Sequence, residues 1–210
     1  MKKIILLGLM SILFVGITFA QTRIGITAGL NASNLNSSSD GYSESGDFKA
    51  GFQAGLVADF AITENFSVIP ELLFSQRGAK AKDDSEGLMK GVSLTLNYLQ
   101  LPVNVAYKFD AGMGSKVFIF AGPYLGYGLS TSAKVKTGGV SISTPDAIKF
   151  GSGENDLKAL DYGVNAGIGY QYEKIFFKLQ YNLGLANLSN DSDYKLKNVN
   201  VAVTAGYFFN

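Results

Sequence analysis

The 210-residue chain has no cysteine, no histidine and only four prolines. Without cysteine it has no disulfide, no thiolate for a nucleophile or a metal, and no residue to carry the lipid of an exported lipoprotein. Without histidine it has no imidazole base near neutral pH, so neither a Ser-His-Asp triad nor an Asp-His pair can be assembled. A Ser–Lys dyad needs neither residue, but no positioned Ser–Lys pair stands out. These absences point away from an enzyme, and no catalytic, cofactor-binding or metal-ligating residue is assigned. An excess of one charge is also lacking. Eighteen Lys and Arg against 17 Asp and Glu leave a net charge of +1, which offers nothing to attract nucleic acid. Beyond Ala20 no segment reaches the ~20 apolar residues of a membrane helix. The longest, "VFIFAGPYL", is short and is interrupted by Gly122 and Pro123.

The opening "MKKIILLGLMSILFVGITFAQT" has a positive start at Lys2 and Lys3, an apolar run from Ile4 to Phe19, and small residues at Thr18 and Ala20. That order reads as a secretory signal peptide over residues 1–20, cleaved after Ala20. Residues 21–210 are then a single domain, and the whole chain is rich in glycine (25) and aromatic residues (12%).

The dominant pattern in this domain is alternation. In "FKAGFQAGLVADFAI", apolar Phe48, Ala50, Phe52, Ala54, Leu56, Ala58, Phe60 and Ile62 are separated by Lys49, Gly51, Gln53, Gly55, Val57, Asp59 and Ala61. Period two belongs to a strand with two unlike faces, since helical apolar positions recur every three to four residues. The same pattern covers 23–32, 66–77, 92–109, 117–129, 160–172, 175–185 and 199–209, giving eight strands. In 92–109 the phase changes, with Leu94, Leu96 and Tyr98 even but Leu99, Leu101 and Val103 odd. A β-bulge near Tyr98–Leu99 would restore the face. Short connections at 63–65, 110–115 and 173–174 alternate with longer polar ones at 33–47, 79–91, 131–157 and 187–195. The spacing predicts an all-β, eight-stranded, antiparallel up-and-down transmembrane barrel, with both termini and the short turns periplasmic.

Alternation alone does not say which face points outward, and a soluble lipocalin-like barrel would turn the apolar face in. Volume decides against that, because eight strands enclose only enough room for side chains. The apolar set includes Phe48, Phe52, Phe60, Phe74, Tyr107, Tyr162, Phe177 and Tyr181 and would overfill the interior, whereas the Gly, Ser, Thr, Asn and Gln of the other face would not. Aromatics near the short-turn end, among them Phe66, Phe109, Tyr170, Tyr172, Tyr207 and Phe209, suit an interfacial girdle.

"NYLQLPVNVAYKF", "FAGPYLGYGL", "DYGVNAGIGYQY" and the terminal "AVTAGYFFN" together resemble the PorT-like small outer-membrane β-barrel domain. That resemblance implies an outer-membrane location in a Gram-negative bacterium and, for some relatives, an accessory part in protein secretion. Outer-membrane lipid and the outer-membrane assembly machinery are the expected partners, the latter reading Tyr207 and Phe209, with secretion components added by the resemblance. The chain departs from the pattern by ending on Asn210 rather than on an aromatic residue.

The charges expected to point inward are Lys49, Asp59, Glu71, Arg77, Lys108, Asp161 and Lys178. Asp59, Glu71, Arg77, Lys108, Asp161 and Lys178 form the candidate lumenal network, read as a mutually neutralised plug or as a gate. The GxG in "GVNAGIGY" follows no βαβ pattern and reads as close backbone approach rather than nucleotide binding. The carboxylates of "NDSDY" and of residues 37–47 lack EF-hand spacing and read as solvated loop. The sequence thus favours a non-enzymatic outer-membrane protein with a filled lumen and long outer loops for partner or ligand contact. A secretion accessory and a narrow solute channel stand as alternatives.

Overall fold

A computed structural model describes residues 22–39, 42–80, 91–137, 140–145, 148–153, 156–191 and 194–210. The signal peptide read over residues 1–20, and most of the loop expected at 79–91, lie outside the described residues. Ten strands form one antiparallel sheet: β1 (Thr22–Ser39), β2 (Tyr42–Ser45), β3 (Asp47–Ala61), β4 (Phe66–Lys80), β5 (Ser93–Gly112), β6 (Ser115–Thr137), β7 (Val140–Pro145), β8 (Leu160–Tyr172), β9 (Ile175–Gly184) and β10 (Lys195–Phe208). Eight of them follow one another in chain order, and β1 pairs with β10 from Gly25↔Phe208 to Ser38↔Lys195. The sheet therefore closes on itself and has no free edge. The two short strands, β2 and β7, each pair with one neighbour only, β1 and β6.

Two loops expected to be irregular are thus partly strand. Beyond Ala32 and Leu129, β1 and β6 continue in their ladders with β10 and β5 and turn into the β2 and β7 hairpins. Alternation fades there because neither side of the ribbon faces hydrocarbon, while backbone pairing does not depend on side-chain polarity. The short β5–β6 turn places Gly112, Met113 and Gly114 at positive φ, a conformation glycine adopts without strain.

Residues alternate between exposed and buried along every strand of the cycle, with the apolar set outside. Leu30, Phe52, Leu56, Leu101, Ile168 and Val203 are all exposed, whereas Asp59, Arg77, Gln100, Asn104 and Asn182 are buried. The outward aromatics at the short-turn end pack on each other, as in Phe66–Tyr107 at 4.8 Å and Tyr107–Phe109 at 4.7 Å between ring centroids.

The phase change in β5 has a different origin from the bulge expected there. β5 pairs with β4 without a break through Gln76↔Asn97, Ser75↔Tyr98 and Phe74↔Leu99. The irregularity lies opposite, on β6, where Asn97↔Ser130 is followed by Tyr98↔Gly128 and Leu129 is the extra residue. Leu96 and Tyr98 point inward with the polar residues below them and are almost completely buried. They are apolar because the long-loop end of the lumen has an apolar core of its own.

Candidate functional site: the filled lumen

The interior is built in levels. Nearest the short turns, Asp59 Oδ2 accepts from Arg23 Nη2 at 2.7 Å and from Lys108 Nζ at 2.5 Å. Arg23 also donates to Gln171 Oε1 at 3.1 Å and lies 4.7 Å from the centre of the Phe208 ring. Alternation places Arg23 on the inward face with Gly25 and Thr27, yet its position at the strand start kept it out of the predicted network.

Above this lies an apolar cluster of Val57, Ile69, Ala106, Phe118, Phe120, Phe176 and Phe208. This cluster corrects the expectation of an interior made of small polar residues. Room for the rings comes from glycines on the neighbouring strand. Phe118 is registered with Gly169, Phe120 with Gly167, Tyr124 with Gly163, and Phe176 with Gly206. A Cβ built on Gly169 would lie 2.1 Å from Phe118, and one on Gly206 would lie 2.0 Å from Phe176. Each inward ring thus covers a glycine across the ladder, as aromatic residues do when they shield strand glycines. The signal was present in the sequence, since the spacing of Gly163, Gly167 and Gly169 mirrors that of Tyr124, Phe120 and Phe118. Gly169→Val should destabilise the folded barrel by about 1–3 kcal/mol through overpacking, whereas Ile168→Val on the outer face should be near neutral. Urea midpoints in lipid vesicles would test this, and equal midpoints would refute the ring-over-glycine packing.

At the next level Lys178 Nζ donates to Glu71 Oε1 at 2.5 Å and sits 5.6 Å and 5.7 Å from the rings of Phe120 and Phe176. Asn165 donates to Asn104 across the lumen. Higher still, Arg77 donates to Gln100 Oε1 at 2.7 Å, lies 3.6 Å from Asp161 Oδ2, and covers the Tyr124 ring at 5.2 Å. The same Asp161 oxygen accepts from Asn198 Nδ2 at 2.9 Å and from Tyr124 at 3.3 Å. The six residues of the candidate network therefore sort into Lys108–Asp59, Lys178–Glu71 and Arg77–Asp161, a partition the sequence left open. All six are buried, so each unpaired charge would be costly and each pair relieves that cost. Lys49, expected among the inward charges, is buried within a register shift between Phe48 and Gln53 and also lines a cleft at the long-loop end of the barrel.

The mouth at the long-loop end is closed by a second apolar cluster, Leu35, Leu96, Tyr98, Leu157, Ala186 and Leu188, with the Phe150 ring tilted against that of Tyr98 at 5.5 Å. Phe150 occupies the space above Gly128, where a Cβ would fall 2.5 Å from its ring. Asn190 Nδ2 donates to the carbonyls of Gly151, Gly153 and Asp156 at 3.0 Å each, tying the β7–β8 and β9–β10 connections together over the opening. Buried polar side-chain atoms without a partner among the described residues occur along the lumen, at Asn31, Gln53, Asn182, Asn200 and Thr204 and also at Asp59, Gln100, Asp161, Asn165 and Asn198.

Comparison with known proteins agrees with this architecture. The family profile described as "Outer membrane protein beta-barrel domain" matches residues 19–190. Among solved structures, the chain is similar to Ail, the attachment invasion locus protein of Yersinia pestis, at 16% identity and a TM-score of 0.45, covering 90% of this chain and 99% of that one. It is also similar to Neisserial surface protein A, at 15% identity and a TM-score of 0.44, covering 88% and 97%. No curated protein matches the chain in sequence.

Proposed function

The chain belongs to the outer membrane protein beta-barrel domain family, and from that premise we propose that it is a plugged surface protein, working through its outer loops rather than by conducting solutes. Its strands cross the outer membrane of a Gram-negative bacterium with the long connections outside and the termini periplasmic. The observation that carries this reading is the lumen, where three buried ion pairs and two apolar clusters follow one another from end to end. Side chains on that scale fill an eight-stranded interior. The described parts of the β7–β8 and β9–β10 connections are drawn together around Asn190 and the cluster under Phe150, and loops on such a scaffold are where binding residues are carried. Lipid and the assembly machinery are its proposed partners, with the outward Tyr207 and Phe209 offered to both.

A narrow channel is the second reading, favoured by buried polar atoms without a partner among the described residues, such as those of Asn31, Gln53, Asn182, Asn200 and Thr204. An accessory role in secretion would instead use the short-turn mouth, a cleft of about 610 Å³ lined by Arg23, Glu64, Lys108, Asp110 and Lys116. Planar-bilayer recording on the purified barrel separates the first two, with no discrete conductance steps expected. Reproducible steps abolished by substituting Asn200 would establish the channel and remove the plug. Cysteines introduced at Ser152 and at Thr63 test the orientation, with labelling of intact cells by an impermeant maleimide expected at Ser152 only.

A further inference from the structure

The outward face of β4, β5 and β6 changes character at one height. On β4, Leu72 and Phe74 give way to Gln76 and Lys80; on β5, Leu101 and Leu99 give way to Asn97 and Ser93; on β6, Leu125 and Tyr127 give way to Ser130, Ser132 and Lys134. The register aligns these transitions, through Phe74↔Leu99↔Tyr127 below and Gln76↔Asn97↔Ser130 above. Gln76 Nε2 donates to Asn97 Oδ1 at 3.3 Å and Asn97 Nδ2 donates to Ser130 Oγ at 2.9 Å, so a polar ladder runs along the upper border of the apolar band.

A cleft of about 750 Å³ opens on this ladder, and Lys49, Lys80 and Lys134 line it. Both Lys80 and Lys134 lie near enough to Lys49 to repel its charge. Lys49 is only 9% exposed, and among the described residues none of the three ammonium groups has an ion-pair partner. Asp47 is the one carboxylate among the described residues of the wall, and it pairs with none of them. Two further ammonium groups stand beside that of Lys49, and an anion joining the three would relieve their mutual repulsion.

We infer that this cleft holds the phosphorylated headgroup of an outer-leaflet glycolipid. The inference rests on the orientation proposed above, in which this rim faces the cell exterior. A phosphate would bring negative charge to the three lysines, and the amides and hydroxyls of Gln76, Asn97 and Ser132 supply donors for sugar oxygens. Its acyl chains continue downward over Phe74, Leu99 and Tyr127, which are exposed. Position is what selects a lipid over a soluble anion, because the cationic cleft and the apolar band are contiguous along three adjacent strands.

The test uses the full folded protein in detergent micelles, with bound ligand counted by native mass spectrometry. The probes are bisphosphorylated lipid A, its dephosphorylated form, and inorganic pyrophosphate. Retention of one bisphosphorylated lipid A is expected. Replacing Lys49, Lys80 and Lys134 together by glutamine should weaken it about a hundredfold, the effect of losing three cationic contacts with an anionic headgroup. The corresponding triple arginine variant should retain it, and so should Lys116→Gln at the opposite mouth. Rapid gel migration of the unheated variants verifies that each is folded. Equal retention by the triple glutamine variant, or equal retention of the dephosphorylated lipid, would overturn the site. Displacement by equimolar pyrophosphate would overturn the lipid and leave a soluble anion. Binding in micelles does not depend on orientation in cells, so an inverted labelling pattern would sink the surface-protein reading and leave this measurement standing.

Discussion

Glu71→Leu should destabilise the folded barrel by about 3–5 kcal/mol, the cost of leaving one member of a buried ion pair uncompensated. Lys178 would lose the carboxylate oxygen at 2.5 Å. What remains near its ammonium is the faces of Phe120 and Phe176, and cation–π attraction of about 2 kcal/mol does not replace a carboxylate. Water is a poor substitute at that depth, because the apolar cluster below and the Asn104–Asn165 bond across the lumen flank the pair. The informative comparison is the double variant Glu71→Leu with Lys178→Met. Exchanging a whole buried pair for apolar side chains of similar size is neutral or stabilising by about 1–4 kcal/mol, so the second substitution should restore most of what the first removes. Both are read as the urea concentration at which the barrel in vesicles loses its rapid gel migration. A single variant as stable as the parent would mean that the pair is hydrated, and a double variant no better than the single would mean that Glu71 acts through shape rather than charge.

Leu56→Arg should cost about 2–4 kcal/mol if its site is near the bilayer midplane. Leu56 is exposed and stands beside Ile26 and Leu72 on the neighbouring strands, at the centre of the outward apolar face. An arginine there must leave its guanidinium in hydrocarbon or thin the bilayer locally to reach water. Depth makes the test specific, because Phe48→Arg, close to the outer rim, should cost only about 0–1 kcal/mol. Measured in detergent the two substitutions should look alike, and measured in vesicles they should separate. Were Leu56→Arg neutral in vesicles, the apolar face would not be facing lipid and the assignment of inside and outside would fail.

Much of this architecture is legible in the sequence because one physical rule dominates each strand. A strand with hydrocarbon on one side and a narrow lumen on the other must alternate, and the short turns leave little freedom in strand order. The places where that reading missed are places where the rule stops applying. β1 and β6 run on past Ala32 and Leu129 because the ribbon leaves the apolar band and loses its alternation while keeping its hydrogen bonds. Leu96 and Tyr98 broke phase without a bulge in their own strand because the outer end of the lumen is apolar. Phe118, Phe120 and Phe208 were absent from the expected interior because the volume of a ring is judged against its neighbour, and its neighbours across the ladder are glycines.

The candidate site divides in the same way. That Asp59, Glu71, Arg77, Lys108, Asp161 and Lys178 fall on the polar face is a matter of counting in twos along the chain. That Glu71 meets Lys178, that Asp59 is shared by Lys108 and Arg23, and that Asp161 is held by Arg77, Asn198 and Tyr124 depends on register and on reach across the lumen. The sequence by itself determined the eight long strands, their order and the face most of their side chains take, because these follow from periodicity and turn length within a segment. Which side chains meet across the lumen, and the gathering of Lys49, Lys80 and Lys134 at one rim, were decided only in the closed barrel. Those contacts join residues from strands far apart in the chain, and their distances are set by stagger and curvature, which no local pattern records.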